Sequence, residues 1–154
     1  MINIALFQPE IPQNTGNIIR LSANCGIFLH LIRPFGFVFS DKNLRRAGLD
    51  YHELADMTIY DHEEDFFALH STKRIFALTT KAKKFYTDTK FEPGDFFLFG
   101  PESRGLPDYI RQSIGQERLL KIPQRPESRS LNLSNSVAIV AYEALRQLNF
   151  EHLS

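Results

Sequence analysis

Three stretches of this 154-residue chain concentrate the residue types that hold or transform a small polar ligand. Near the amino end, Asn14-Thr15-Gly16-Asn17 is followed about one helical turn later by Arg20, which sets amides at a helix start close to a guanidinium. In the middle, Gly100-Pro101-Glu102-Ser103-Arg104-Gly105-Leu106-Pro107 places two glycines around a carboxylate and a guanidinium, so that backbone can approach a ligand closely. In the closing third, Ser130, Asn132, Ser134 and Asn135 stand before the apolar run Val137-Ala138-Ile139-Val140-Ala141. These are capping residues, and a helix start offers backbone N–H groups without intrahelical partners that can be turned towards a ligand. Plain readings exist for all three: a capped helix with a solvated arginine, a strand-to-helix turn that needs glycine for its dihedrals, and a second capped helix.

Other chemistries find less support. Leu106 stands where a Walker loop carries lysine after its second glycine, and the Rossmann glycine spacing is missing. There is no G-x-S-x-G elbow among the serines around position 130. His30, His52, His62, His70 and His152 lack metal-ligand spacing and read as surface or strand residues, so no metal is expected. Asp61-His62-Glu63-Glu64-Asp65 reads as a solvated run opening a helix, and Cys25 as core. Basic residues gather at Arg45-Arg46, at Lys81, Lys83 and Lys84 beside Phe85-Tyr86, and at Lys121, Arg125 and Arg129. Basic loops with aromatics can hold a phosphodiester chain, and scattered surface cations account for the same residues.

These loops need elements to position them. Ile2 to Phe7 reads as a strand stopped by Pro9 and Pro12, followed by a helix introduced at Thr15-Gly16-Asn17 and ended by Gly26. Phe28 to Ile32 is a second strand, Asp41 starts a short helix carrying Leu44, Arg45 and Ala47 that stops at Gly48, Met57 to Tyr60 is a strand, and Glu63 to His70 a helix. Ile75 to Leu78, Phe96 to Phe99 and Leu119 to Ile122 are continuously apolar, as expected of strands covered on both faces. A last helix runs from near Asn132 to about Leu148, with loose residues after it. Alternating strands and helices predict an α/β domain with a mainly parallel sheet, whose ligands sit beyond the carboxyl ends of strands, here the turns after Leu78, Phe99 and Ile122.

The length fits one domain, residues 1–154. With 43% hydrophobic and 23% charged residues the composition is that of a globular protein, and eighteen basic residues against eighteen acidic ones leave net charge silent about nucleic acid. One cysteine allows no internal disulfide, no apolar stretch approaches the roughly 18 residues of a membrane span, and no basic leader precedes the first strand. A cytoplasmic protein without membrane partners is expected.

Taken together and in order, Asn14-Thr15-Gly16-Asn17 with Arg20, Phe99-Gly100-Pro101-Glu102 with Gly105-Leu106, and Ile122-Pro123 with Ser130 to Ser136 resemble the three motifs of the SPOUT RNA methyltransferases of SpoU type. The minimal length most resembles members that methylate the ribose 2'-hydroxyl of the wobble cytidine or uridine of tRNA. The resemblance implies a deep carboxyl-terminal trefoil knot, S-adenosylmethionine held in it (leaving S-adenosylhomocysteine), and a homodimer; topology rules alone would reject a knot. It implies cofactor contacts from Leu78, Thr79, Gly100, Glu102, Ile122, Ser130 and Leu131, and a catalytic role for Arg20. A guanidinium stays protonated and accepts no hydrogen bond, so Arg20 is expected to hold a phosphate and stabilise the developing alkoxide, with Asn14 and Asn135 orienting groups nearby. The last helix, with Tyr142 among Val137, Val140, Ala141 and Leu145, is the expected dimer face. A knotted RNA-binding or assembly protein without catalysis is the alternative.

Overall fold

The computed structural model describes residues 1–40, 42 and 56–154. The helix expected from Asp41 to Gly48, with Arg45 and Arg46, and also His52, lie outside the described residues.

Seven strands form one sheet: β1 Asn3–Phe7, β2 Phe28–Ile32, β3 Met57–Tyr60, β4 Ile75–Leu78, β5 Lys84–Phe85, β6 Phe96–Phe99 and β7 Leu119–Lys121, in the order β3-β2-β1-β6-β4-β7-β5. Every pairing is parallel. The helices among the described residues are α1 Pro12–Cys25, α2 Glu63–Leu69, α3 Asp108–Ile114 and α4 Leu133–Gln147, with a 3-10 turn at Gln116–Arg118. Side chains alternate across each strand, which explains the continuous apolar runs: Ile4, Leu6, Leu29, Leu31, Phe97 and Phe99 join one buried cluster, while Ala5, Phe7, Ile32, Phe96 and Leu98 join another. Ile18 and Ile19 of α1 with Val137, Val140, Ala141, Ala144 and Leu145 of α4 close the first cluster, and Phe66 of α2 with Ile110 of α3 the second. Among the described residues, two helices therefore cover each face. Phe97 is fully buried, and its truncation to alanine would cost about 3–5 kcal/mol.

Several expectations change here. The first helix begins at Pro12 and not at Thr15, because a proline in the first helical position loses no hydrogen bond and brings a helical φ. Gly26 ends it in the left-handed conformation with φ +67°, its N–H donating to the Ser22 carbonyl. Val137, Val140, Ala141 and Leu145 are core residues of this chain, spent on α1 and the sheet, so of the apolar face expected for a dimer only Tyr142, with Ile139, remains exposed. The end is not loose: the Phe150 N–H donates to the Leu145 carbonyl at 2.8 Å, and Leu153 packs against the core.

His30 lies in β2, as expected, yet as the centre of a buried polar chain. Its Nε2 stands 2.9 Å from Asn3 Oδ1, its Nδ1 2.8 Å from Tyr60 Oη, and Tyr60 Oη 3.1 Å from His70 Nε2. The Asn3 oxygen can only accept, so His30 donates from Nε2 and accepts at Nδ1 as a neutral ring. Burial, reinforced by His70, pushes its pKa down to about 4.

Candidate active site

The carboxyl ends of β1, β4, β6 and β7 converge on one cleft of about 420 Å³. Leu78 and Thr79 after β4, Gly100 and Glu102 after β6, and Ile122, Ser130 and Leu131 after β7 all line it, joined by Asn14 of α1. Parallel pairing is the reason. Leu78 lies beside Phe99 in one register and beside Leu120 in another, so the loops that follow these strands leave the sheet together. The Thr79 N–H donates to the Leu120 carbonyl at 2.9 Å and extends the junction one residue past β4.

The loop after β6 is folded tightly on itself. A Cβ on Gly100 would stand 2.4 Å from the Leu106 nitrogen and 2.5 Å from the Gly105 carbonyl carbon, so only glycine fits. Gly105, at φ +67°, donates its N–H to the Pro101 carbonyl at 2.9 Å and turns the chain back.

Glu102 reaches from this loop to the start of α1. Its carboxylate accepts from the Glu10 N–H at 2.8 Å, the Ile11 N–H at 2.7 Å and Asn14 Nδ2 at 3.3 Å. Ile11 is the N-cap residue and has no side-chain cap of its own, so a carboxylate from about ninety residues away occupies the positive end of the helix. Asn14 Oδ1 in turn accepts from Asn132 Nδ2 at 3.0 Å, and Asn132 Oδ1 caps α4 by accepting from the Asn135 N–H at 3.2 Å. Residues from all three stretches singled out in the sequence thus share one hydrogen-bonded chain. In the reverse direction Glu10 accepts from the Ser103 N–H at 2.8 Å and from Ser103 Oγ at 2.7 Å. Those two bonds hold the Glu10 carboxyl below its ordinary range against the opposing effect of burial, with a lesser contribution from Arg104.

Arg20 and Asn135 are the expected residues that do not line the cleft: Arg20 is exposed on α1, and Asn135 is exposed in the first turn of α4. Of the basic groups, Lys81, Arg104, Arg111 and Lys121 line the cleft, the first and last from the clusters noted in the sequence, and the Lys121 ammonium lies 5.6 Å from the centre of the Phe85 ring. Gln124 orders the loop after β7 by donating to Ser128 Oγ and the Arg129 carbonyl.

This arrangement fits S-adenosylmethionine. Leu78, Phe99, Ile122 and Leu131 offer apolar walls for an adenine, Thr79, Ser130 and Gln124 polar groups for its edge and ribose, and Lys81 a cation for a carboxylate, while Glu102 sets negative charge near a sulfonium.

The description "SpoU rRNA Methylase family" belongs to a family model that matches residues 1–142. The chain belongs to the SpoU methylase family. It is 53% identical over 150 residues to the tRNA (cytidine(34)-2'-O)-methyltransferase of Methylovorus glucosotrophus (strain SIP3-4), with 97% of each chain covered. A solved structure described as giving structural insights into the 2-OH methylation of C/U34 on tRNA is 44% identical, covers 97% of each chain and superposes with a TM-score of 0.89. The AdoMet-bound rRNA methyltransferase from Sinorhizobium meliloti is 25% identical at a TM-score of 0.82, covering 99% of this chain and 57% of that one. This SpoU methylase is therefore an α/β methyltransferase. No helix among the described residues is long and apolar enough to cross a membrane.

Glu10 carries bonds at this site that the sequence did not announce, and Ser103 and Asn132, which stand in the stretches named above, received no role of their own there. Asn132, not Asn135, carries the side-chain bond to Asn14; its spacing three residues before Asn135 is an N-cap signal that pointed to it. Glu10 and Ser103 have no such local signal, since their partners lie about ninety residues away.

Proposed function

We propose that this SpoU methylase is an S-adenosylmethionine-dependent tRNA ribose 2'-O-methyltransferase acting on the wobble cytidine or uridine. The observation that carries the reading is the hydrogen-bonded chain from Glu102 through Asn14 to Asn132 beside one cleft. Near full-length similarity to relatives named for that reaction supports the substrate.

Leu78, Thr79, Gly100, Ile122, Ser130 and Leu131 would hold the donor, with Glu102 beside it. When bound, S-adenosylmethionine supplies an electrophilic methyl group on sulfur. The protein's contribution is alignment of a ribose hydroxyl with that methyl and stabilisation of the oxygen as it loses its proton. Arg20 holds a backbone phosphate next to the reacting ribose and favours the alkoxide, while Asn14 and Asn135 orient polar groups at the helix starts. Lys81, Lys83, Lys121, Arg125 and Arg129 add phosphate contacts around the cleft.

The chain works as a homodimer that seats the exposed Tyr142 and Ile139 of α4 on a second copy. This would also explain Arg20, which lies outside its own chain's cleft lining and would serve a cleft completed across the dimer. In this reading the carboxyl-terminal third is knotted, which the insertion of β6 between β1 and β4 and of β7 between β4 and β5 supports. Mass spectrometry of wobble nucleosides from cells lacking the gene tests the reading. Loss of the 2'-O-methyl mark on C34 or U34, restored by the gene, is expected, and unchanged methylation refutes it.

A further inference from the structure

The loop from Gly100 to Leu106 is anchored at both ends but not at its apex. Phe99 is held in β6 between β1 and β4, and Leu106 is buried, whereas Ser103, Arg104 and Gly105 are exposed. An exposed loop tip moves freely unless something outside the loop ties it down. Here there are two ties: one exposed bond from the Arg104 guanidinium to Gln8 Oε1 at 3.1 Å, and Glu10, whose carboxylate takes both the N–H and the hydroxyl of Ser103, at 2.8 Å and 2.7 Å, with the second oxygen 2.9 Å from the same hydroxyl, and so holds the apex backbone itself.

Glu10 is itself braced. Behind it Gly36 packs so closely that a Cβ there would stand 2.9 Å from Glu10 Cα, and the Gly36 N–H donates to the Pro9 carbonyl at 2.9 Å. In front, the Glu10 N–H donates to Glu102. The bonds between the two loops therefore cross: Glu102 accepts from the backbone of 10 and 11, and Glu10 accepts from residue 103. Two carboxylates brought to one junction repel each other, and each is tolerated because it faces N–H and O–H donors from the opposite loop.

We propose that Glu10 is a positioning residue for donor binding, which holds the apex of the loop after β6 through Ser103 and so fixes the wall that Gly100 and Glu102 present to the cleft. The proposal rests on the reading of that cleft as the S-adenosylmethionine site. Glu10 does not line the cleft, so its effect reaches the donor only through the loop.

Calorimetry with S-adenosylhomocysteine on the full-length protein, alongside donor-dependent kinetics, tests it. Glu10→Ala weakens binding about fivefold and raises the KM for S-adenosylmethionine in step, with a smaller fall in kcat; Ser103→Ala weakens binding less, because the backbone bond to Glu10 survives. The double variant binds no more weakly than Glu10→Ala alone, since both remove the same tie. A general loss of stability would lower the melting temperature without this split between KM and kcat. If Glu10→Ala does not fold, Glu10→Gln, which keeps an acceptor oxygen but not the charge, is expected to bind about threefold more weakly. Wild type without measurable binding refutes the donor-site reading and this proposal with it. Wild type that binds while the folded Glu10 variant binds equally well, or a double variant whose loss is the full product of the two single losses, overturns this proposal alone.

Discussion

Gly100→Ala is the sharpest test of how the cleft is built. Gly100 does not sit at a positive φ, so the substitution meets no dihedral penalty, only space: the new Cβ would stand 2.4 Å from the Leu106 nitrogen, 2.5 Å from the Gly105 carbonyl carbon and 2.9 Å from Gly105 Cα. All three are backbone atoms, so no side chain can swing aside. Restoring an ordinary 3.4 Å contact requires the 105–106 backbone to retreat by about 1 Å. Leu106 is buried and can retreat only by disturbing the cluster around Ile110, so the cost falls in the range of about 1–3 kcal/mol typical of overpacking. For a chain of this size that lowers the melting temperature by about 3–10 °C. A loop displaced by about 1 Å beside a reacting group can cost about a hundredfold in rate. The expected result is therefore a folded protein with S-adenosylhomocysteine affinity down by about tenfold or more and kcat/KM for RNA methylation down by about a hundredfold, measured by calorimetry and by methyl transfer to tRNA. A Gly100→Ala protein with donor affinity within twofold of wild type and an unchanged melting temperature would refute the packing argument.

Stability should also fall with acid because of His30. Its folded pKa of about 4 lies below the usual 6.5, so the unfolded chain binds the proton more tightly; the contribution is complete above pH 6.5, drains away as pH drops towards 4, and amounts to about 3 kcal/mol. Denaturant titrations from pH 7.5 to 4.5 check this, and His70, also lowered by burial, adds in the same direction. Arg20→Lys should cut turnover at saturating tRNA at least tenfold while donor affinity stays within twofold, since a lysine lacks the planar fork that holds a phosphate through two bonds; full turnover would remove Arg20 from the mechanism. Tyr142→Ala should shift the protein from dimer to monomer in sedimentation velocity with loss of methyl transfer, and a wild type that is fully active as a monomer would discard the dimer.

What was legible in the sequence follows from range. Strands such as Phe96–Phe99 announce themselves because both faces are covered and every residue is apolar. The cleft residues Leu78, Gly100 and Ile122 were legible for the same reason, since a parallel sheet sends its ligand loops out at the carboxyl ends. β5 was not, because a two-residue edge strand carrying a lysine has no periodicity to read, and α3, at seven residues, is too short to show a helical one. The helical pattern of α4 reveals that a face is apolar but not what covers it; α1 covers Val137, Val140, Ala141 and Leu145. His30 read as an ordinary strand residue, since its partners Asn3, Tyr60 and His70 come from three other elements.

The same contrast explains why position 14 is an asparagine. The side chain there must donate to a carboxylate, Glu102, and accept from an amide, Asn132, at the same time. Glu102 already receives two backbone N–H groups and acts as an acceptor, which fixes the Asn14 amide with its nitrogen towards Glu102 and its oxygen towards Asn132. Aspartate would turn a carboxylate on a carboxylate, and serine is too short to span both partners. Asn14 is buried, so a side chain there that repels Glu102 or cannot reach Asn132 would leave its own polar atoms short of a partner. The asparagine thus joins the loop after β6 to the start of α4, and the orientation of one amide ties the donor wall to the helix that carries the exposed Tyr142.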